Sequence, residues 1–476
     1  MARLKTKTSL RSQINIKYLW FSVELESSNT NKMKILILGQ GGREHAIAWK
    51  LSKSEIVSHV YVCPGNAGTS LEQKVTNIDL SLDQQKKIME FVKSNQIDLT
   101  IVGPEAPLVD GIVNKFRDEG LRIFGPSKEF AELEGSKVFS KNFMFRNGIP
   151  TANYREFNNP EDAMNHLTQI KYPSVIKADG LAAGKGVIIC NEEQDAVDAI
   201  KKIFNSDHSQ KLVMEDFLVG QELSAIYICN FNGPSFETSL PWTKDYKSRD
   251  EFNSGPNTGG MGAITHPMLD EHKNTVYKLH IEIEKILTKT IIGINEQLKN
   301  TQMSYLGFLY IGLMIDDKNN IKVLEYNCRM GDPETQNLMI YLENMNIDFL
   351  SLILDKKHGG NDDCNLDYIN EKKHYSCTIV LAACGYPDSY KKDFYIDLTD
   401  VEESENLKIF HAGTVMENNR VKSIGGRILT INTFGMDRQK CIDLAYTNIK
   451  KIRTYTDSEF KQEDNELTFF REDIGR

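Results

Sequence analysis

The chain has 476 residues, 40% hydrophobic and 26% charged, a balance that suits about three folded domains and excludes wholesale disorder. Lys and Arg number 57 against 66 Asp and Glu, a formal charge of -9 that disfavours broad, non-specific nucleic-acid binding. No run approaches the ~20 continuous apolar residues of a membrane helix, so neither nucleic acid nor membrane is expected as a partner.

Residues 1–32 read differently from the rest: Arg3, Lys5, Lys7, Arg11 and Lys17 precede the first acid, Glu24. A transit peptide has this bias, but a disordered extension or a start at Met33, which directly begins a strand, is the expectation. Eight cysteines (Cys63, Cys190, Cys229, Cys328, Cys364, Cys377, Cys384 and Cys441) are scattered with no CxxC pair. That spacing argues against a zinc site or a disulfide framework and fits a reducing cytoplasmic compartment.

From Lys34 strands and helices alternate. Strands are expected at 34–38, 60–63, 99–102 and 123–124, with helices at 44–52, 83–95 and 109–119 between them. Three of the strands stop at Gly or Pro (Pro64-Gly65, Gly103-Pro104, Gly125-Pro126), the rhythm of an open parallel sheet whose ligands bind beyond the strand ends. A second unit follows: a helix at 135–147, strands at 174–177 and 186–190 around a Gly-rich loop, and strands at 211–217 and 223–230. A polar, Gly-rich stretch at 244–262 precedes a long helix at 270–300, then a β pair at 307–315 and 322–326. The short strands at 377–383, 410–414 and 427–432 suggest a small α+β unit.

Four segments carry chemistry. Gly39-Gln40-Gly41-Gly42-Arg43-Glu44-His45 runs from a strand into a helix start, where main-chain N–H groups suit an anion; a tight βα turn is the plain alternative. The dinucleotide fingerprint needs a third glycine where Glu44 stands, and an acid where the second strand gives Pro64-Gly65-Asn66, so a nicotinamide cofactor is not expected. Lys177-Ala178-Asp179-Gly180-Leu181-Ala182-Ala183-Gly184-Lys185-Gly186-Val187 fails the Walker pattern. As a hairpin it can still fold N–H groups over phosphates, with Lys177 and Lys185 supplying charge, unless it is merely a solvated surface turn. Leu212-Val213-Met214-Glu215-Asp216-Phe217-Leu218 with Glu222 offers exposed backbone for an adenine edge and a carboxylate for ribose, but an edge strand ending in acids is common. Glu325 and Asn327 alternate along a strand and so present two oxygen ligands on one face, which suits Mg²⁺; Arg329 continues that face, and a solvated face is the alternative.

Taken together these residues resemble the ATP-grasp superfamily and, within it, the phosphoribosylamine–glycine ligases (glycinamide ribonucleotide synthetases). The strings that carry the likeness are Gly39 to His45, Pro64-Gly65-Asn66-Ala67-Gly68-Thr69, Val102-Gly103-Pro104-Glu105-Ala106-Pro107-Leu108, Glu134-Gly135-Ser136-Lys137, Lys177 to Val187, Gly255-Pro256-Asn257-Thr258-Gly259-Gly260-Met261-Gly262 and Glu325 to Gln336. The resemblance implies a mixed α/β and α+β multidomain fold. It would comprise an extension at 1–32, an N-terminal open parallel-sheet (Rossmann-like) domain at 33–136, an ATP-grasp core at 137–358 with a mobile lid at about 155–222, and a small α+β domain at 359–476. It implies ATP and Mg²⁺ (Mn²⁺ also serving) as cofactors, glycine and 5-phosphoribosylamine as small-molecule substrates, and a monomer.

Roles then follow by resemblance. Lys137 and Lys177 would hold the ATP phosphates, with Gly184, Lys185 and Gly186 covering them. The backbone at Glu215, Phe217 and Leu218 would meet adenine, and Glu222 the ribose. Glu325 and Asn327 would bind the metal. Arg329, with Lys177, would stabilise the transferring phosphoryl group. Gly41, Gly42, Arg43, Asn66, Gly68, Thr69 and Glu105 would cradle phosphoribosylamine. Asp245, Lys247, Asn257, Gly260 and Asp332 are further substrate contacts. Met330 stands where the family has Phe, and the strand before Glu325 carries no acid until Asp316, which leaves the ligand set of a second metal open. Another ATP-grasp ligase, of the biotin- or aminoimidazole-carboxylase type, is the nearest rival. A catalytically dead relative would have lost Lys177, Glu325 or Asn327, all present here.

Overall fold

The computed structural model describes residues 32–181, 186–206, 211–230, 233–265, 273–298, 305–354, 374–464 and 466–476. The chain divides into residues 1–32 and a compact unit, Met33–Arg476; the expected extension, apart from Lys32, lies outside the described residues.

The compact unit opens with β1 (Met33–Gly39), α1 (Gly42–Ser52), β2 (Val57–Pro64), β3 (Val75–Asn77), α2 (Gln85–Asn95), β4 (Leu99–Val102), α3 (Glu105–Val109), α4 (Ile112–Asp118) and β5 (Ile123–Phe124). The strands form a parallel sheet in the order β3-β2-β1-β4-β5. Ile35, Leu36, Ile37 and Leu38 are all fully buried, as expected of a strand covered on both faces. The helix expected over 109–119 is instead two helices, broken at Gly111, whose φ of 81° no side chain adopts comfortably. Next come α5 (Lys128–Gly135) and α6 (Lys137–Arg146); Ser136 separates them and caps α6 by accepting the Phe139 N–H.

A second, antiparallel sheet contains β6 (Tyr154–Phe157), β7 (Ser174–Ala178), β8 (Val187–Cys190) and β9 (Leu212–Asp216) in the order β6-β9-β7-β8. Two helices not expected from the sequence, α7 (Pro160–His166) and α8 (Glu193–Phe204), supply its core: Ala196, Ile200 and Ile203 bury against Phe157, Ile176, Leu212 and Met214. The tip of the β7–β8 hairpin, residues 182–185 with Gly184 and Lys185, lies outside the described residues.

The third sheet is built from β10 (Gln221–Asn230), β11 (Gly233–Ser239), β12 (Thr243–Asp245), β15 (Gly262–Thr265), β16 (Gly307–Ile315), β17 (Ile321–Asn327), β18 (Tyr375–Ala383), β20 (Leu407–His411), β23 (Arg427–Gly435) and β25 (Thr468–Phe469). The intervening β13 (Ser248–Asp250) and β14 (Ser254–Asn257) form a hairpin inside the Gly-rich stretch. Helices α9 (Lys273–Leu298), α10 (Glu334–Asn344), α11 (Phe349–Leu354) and α12 (Arg438–Ile449) complete the layers. The main path of this 10-stranded sheet is β17-β16-β10-β12-β15-β18-β23-β20. The C-terminal strands are thus hydrogen-bonded onto the sheet that carries Glu325, through Gly262↔Ile379 and Ile264↔Cys377. A smaller sheet of β21 (Thr414–Glu417), β22 (Arg420–Ser423), β19 (Tyr395–Asp397) and β24 (Arg453–Tyr455) adds to the C-terminal region. No helix among the described residues is long and apolar enough to cross a membrane.

Candidate active site

The carboxyl ends of the first sheet meet the segment that follows β17. Glu44 explains why the glycine loop is no dinucleotide site. Its Oε2 accepts the Gly41 N–H at 2.6 Å, and a Cβ on Gly39 or Gly103 would fall 2.4 or 2.1 Å from its carboxyl or side-chain atoms. The start of α1 is already capped by a protein carboxylate where a pyrophosphate would need to sit. Buried Arg43 pairs with Glu44 at 2.5 Å and donates to the Met330 carbonyl at 3.2 Å, so it ties the first sheet to the segment that follows β17.

Asn66, Gly68 and Thr69 are built into the loop beside the first sheet. Asn66 donates to the Gln40 and His411 carbonyls, each at 2.8 Å, and its Oδ1 accepts the Thr69 N–H at 3.0 Å. Thr69 is fully buried, its hydroxyl 2.7 Å from Asn77 Oδ1. A Cβ on Gly68 would lie 2.2 Å from the His45 ring. The side chains of Asn66 and Thr69 are thus satisfied inside the protein, and Gly68 leaves room for His45.

Arg329 lies at the seam. Its guanidinium reaches Glu134 at 2.8 Å and Glu105 at 3.3 Å, and Nη1 donates to the Met330 carbonyl at 3.2 Å. Glu134 in turn accepts the Cys328 N–H at 2.7 Å. Burial pushes the Glu105 carboxyl up, but Arg329 and Arg43 outweigh it and hold it at about 2. Arg329 Nε makes no well-aligned hydrogen bond, so it meets Glu105 as an ion pair.

The lysines form a second cluster. Glu215 is buried between Lys141 at 2.8 Å and Lys177 at 3.0 Å. Lys141 also donates to Thr151 Oγ1, which donates to the Val323 carbonyl, both at 2.7 Å. The oxygen facing Lys177 has no aligned hydrogen bond, so the Lys177 donors are not fixed in direction. Lys137 donates to the Gly180 carbonyl at 2.7 Å, and Asp179 accepts from Ser136 Oγ at 2.9 Å, so the base of the β7–β8 hairpin is pinned to the start of α6. Beyond β9, Phe217 is exposed and Leu218 half-buried, and among the described residues their main-chain groups take part in none of the loop hydrogen bonds.

Glu325 and Asn327 lie opposite Gly312 and Tyr310 of β16, with no bulge between them, and therefore share a face. A Cβ on Gly312 would stand 3.2 Å from Glu325 Cγ, so glycine there gives the carboxylate its room. Burial raises the Glu325 pKa, but Lys247, Lys177, Lys137 and Arg329 together hold it at about 2. The Lys247 ammonium stands 3.1 Å from Glu222 and 3.5 Å from Glu325. Asp245 is pushed well above the usual carboxylate range by burial and by Glu334, Glu222 and Glu325, against the pull of Lys247. A fixed carboxylate and an amide that makes no hydrogen bond among the described residues form a hard-oxygen donor pair that fits Mg²⁺. Asp316 does not join them: its carboxylate accepts the Lys318 and Asn320 N–H groups at 2.9 and 2.8 Å in the β16–β17 turn.

The Gly-rich loop packs onto the same segment. Gly260, at φ 109°, leaves a Cβ position only 2.6 Å from Pro333 Cδ. Asn257 pairs with Ser248 in the β13–β14 hairpin. Arg427, which sequence reading missed, donates to the carbonyls of Gly259 and Asp332, each at 2.6 Å, and pairs with the Asp332 carboxylate at 3.2 Å. Gly41 and Gly42 complete the wall: a Cβ on Gly41 would lie 3.3 Å from Asp332 Oδ2, and one on Gly42 2.4 Å from Gln336 Nε2. The fold thus gathers Gly41, Gly42, Arg43, Glu105, Arg329, Asp332 and Gly260 on one side, and Lys137, Lys177, Glu215, Glu222, Lys247, Glu325 and Asn327 on the other. Lys141, Glu134 and Arg427 were also missed, because their partners lie far away in sequence and leave no local pattern.

Comparisons with known proteins agree with this arrangement. Family models described as phosphoribosylglycinamide synthetase match in three consecutive parts: the N domain at residues 33–134, the ATP-grasp (A) domain at 135–335 and the C domain at 376–476. The phosphoribosylamine–glycine ligase of Clostridium acetobutylicum is 39% identical over 451 residues, covering 93% of this chain and 100% of that protein. That of Escherichia coli K12 is 42% identical over 413 residues, 85% and 91% of the two chains. The crystal structure of the Thermotoga maritima phosphoribosylamine–glycine ligase superposes with a TM-score of 0.73 at 31% identity, over 93% of this chain and 100% of that one. A biotin carboxylase domain from Hydrogenobacter thermophilus, at 14% identity and a TM-score of 0.66 over 92% and 91% of the two chains, shares the fold alone. This chain belongs to the phosphoribosylamine–glycine ligase family, with its N, ATP-grasp and C domains in order.

Proposed function

We propose that the chain ligates glycine to 5-phosphoribosylamine at the expense of ATP, giving glycinamide ribonucleotide, ADP and phosphate, a step of de novo purine biosynthesis, as a cytoplasmic monomer. The observation that carries the reading is the Glu325 carboxylate held at about 2 among Lys247, Lys177, Lys137 and Arg329, cations contributed by four separate segments. An anionic metal ligand ringed by lysines and an arginine is suited to polyphosphate, and to few other small molecules.

A carboxylate is a poor electrophile, so the glycine carboxylate first takes the γ-phosphoryl group as glycyl phosphate. The amine of phosphoribosylamine then attacks the acyl carbon and phosphate leaves. Lys137 and Lys177 hold the nucleotide phosphates, and Gly184, Lys185 and Gly186 cover them against water, to which the acyl phosphate is vulnerable. Main chain at Glu215, Phe217 and Leu218 binds adenine, and Glu222 the ribose. Glu325 and Asn327 would hold Mg²⁺, or Mn²⁺ in its place, and the bound ion would supply positive charge beside the transferring phosphoryl group. Arg329 donates its fork to that group while Glu105 and Glu134 fix its plane. Gly41, Gly42 and Glu105 line the sugar side, with Arg43, Asn66, Gly68 and Thr69 holding that wall in place. Asp245, Lys247, Asn257, Gly260 and Asp332 bound the glycine side.

Phosphate release with ATP, Mg²⁺ and glycine, measured with and without freshly made phosphoribosylamine, tests the reading. Release that needs both substrates and collapses in Glu325→Ala is expected. Turnover only with a different acid or amine would overturn the substrate assignment and leave the ATP site standing.

A further inference from the structure

Lys247 bridges two carboxylates of the site, Glu222 and Glu325. Its ammonium is 3.1 Å from Glu222 on β10 and 3.5 Å from Glu325 on β17, and among the described residues no other cation is within ion-pair distance of either. Glu222 and Glu325 reach this point from strands separated only by β16, and Asp245 adds to the negative field on the same ammonium. The Lys247 main chain is held elsewhere: its carbonyl accepts from the Thr258 N–H and hydroxyl, both at 2.8 Å. The backbone is therefore fixed while the four-carbon stem can swing.

We propose that Lys247 is an exchangeable counter-ion, whose ammonium neutralises Glu222 and Glu325 until a divalent metal arrives at Glu325 and Asn327 with its nucleotide. This rests on Glu325 and Asn327 being metal ligands. Ammonium and metal cannot both bond the Glu325 oxygen, so entry of the metal requires the lysine to leave. A metal arriving with negatively charged phosphates meets less repulsion from the displaced ammonium than a bare ion does. Lys247 thereby makes metal binding depend on nucleotide, and keeps the carboxylates from repelling each other between turnovers.

The test is Mn²⁺ binding to full-length protein without nucleotide, read from the free-ion paramagnetic resonance signal. Lys247→Met and Lys247→Gln should each bind at least ~10-fold more tightly than wild type, as a unit charge about 4 Å from a dication predicts even in a water-like surrounding. Lys247→Arg should behave as wild type, and adding Glu325→Gln to Lys247→Met should abolish the gain. If both neutral variants bind Mn²⁺ no better than wild type, while Mn²⁺ with ADP still binds wild type in a Glu325-dependent way, the counter-ion role is overturned and the metal site stands. If Mn²⁺ with ADP binds wild type and Glu325→Gln equally, the metal assignment is overturned and this inference falls with it.

Discussion

Replacing Glu215 by glutamine removes the carboxylate held between two buried ammonium groups, Lys141 at 2.8 Å and Lys177 at 3.0 Å. Lys141 is the group that responds. Burial draws its pKa from 10.5 to about 8, with Glu215 opposing the fall. Without that carboxylate the value falls further, and in the folded state Lys141 sheds its proton at a lower pH than in the wild type. At pH 7 the wild type still gains about 1.4 kcal/mol by protonating Lys141, one unit below its folded pKa, and the variant gains less. Loss of the charge-assisted bond to Lys141 costs a further ~1.5–3 kcal/mol. Glu215→Gln should therefore lose up to ~3–4 kcal/mol of stability at pH 7. The lysine value is depressed in both proteins, so the unfolded chain binds the extra proton, and stability rises with pH across each protein's own window. That window begins at about 8 for wild type but lower for the variant. The gap between them should widen by about 1.4 kcal/mol per unit below pH 8 and level off above it. Urea denaturation of both proteins at pH 6, 7 and 8.5 measures this. A destabilisation that is the same at pH 6 and 8.5, or below ~1 kcal/mol at pH 7, would show that Glu215 does not hold Lys141 charged.

Arg329→Lys keeps a charge but cannot serve Glu105, Glu134 and a phosphoryl group together; kcat should fall at least ~100-fold with a smaller change in the KM for ATP, measured by steady-state phosphate release. Gly260→Ala meets both a φ of 109° and Pro333 Cδ at 2.6 Å. It should cost ~1–3 kcal/mol and raise the KM for glycine more than that for ATP, and unchanged constants would argue against a wall role for this loop. His411, lowered to about 3 by burial, and His45, lowered by burial against the pull of Glu72, stay neutral where the unfolded chain takes a proton at 6.5. Stability present above pH 6.5 should be lost by up to ~1.4 kcal/mol per unit for each as pH falls. His411→Asn should flatten that slope between pH 6.5 and 4.5.

What could be read from the sequence was what the backbone writes locally. Pro64-Gly65, Gly103-Pro104 and Gly125-Pro126 end strands because those residues cannot continue them, so the first sheet and its ligand edge were visible. Glu325 and Asn327 were visible because a strand has a period of two. Helix α8 could have been found: Ala196, Ala199, Ile200 and Ile203 recur at helical spacing after an acidic capping box at Glu192 and Asp195. The break at Gly111 was hidden inside an apolar run that continues on both sides. The joining of the C-terminal strands to β15 was not legible, because short antiparallel strands read alike whichever sheet they enter. Nor was the Lys141–Glu215–Lys177 arrangement, in which Lys141 comes from α6 and the other two from paired strands.

The placement of charge explains why these elements must meet. Glu105 begins α3 and Glu134 closes α5, so the side of the molecule nearest the first sheet contributes two acids to Arg329. The third sheet contributes Arg329 itself, two residues beyond the end of β17, and Glu325 within it. An arginine buried against two acids loses little freedom when a third anion arrives, since its plane is already set. A lysine at the same place would have to trade one partner for another. The lysines that face Glu325 differ in kind: Lys177 lacks an aligned acceptor on Glu215 and Lys137 rests on a single carbonyl. On the proposed roles, groups with few partners before polyphosphate binds can move to it at small cost, whereas the group that stabilises charge during transfer is held beforehand by two acids. An arginine already held by two acids and lysines with fewer partners suit, on those roles, one reaction with binding first and phosphoryl transfer second.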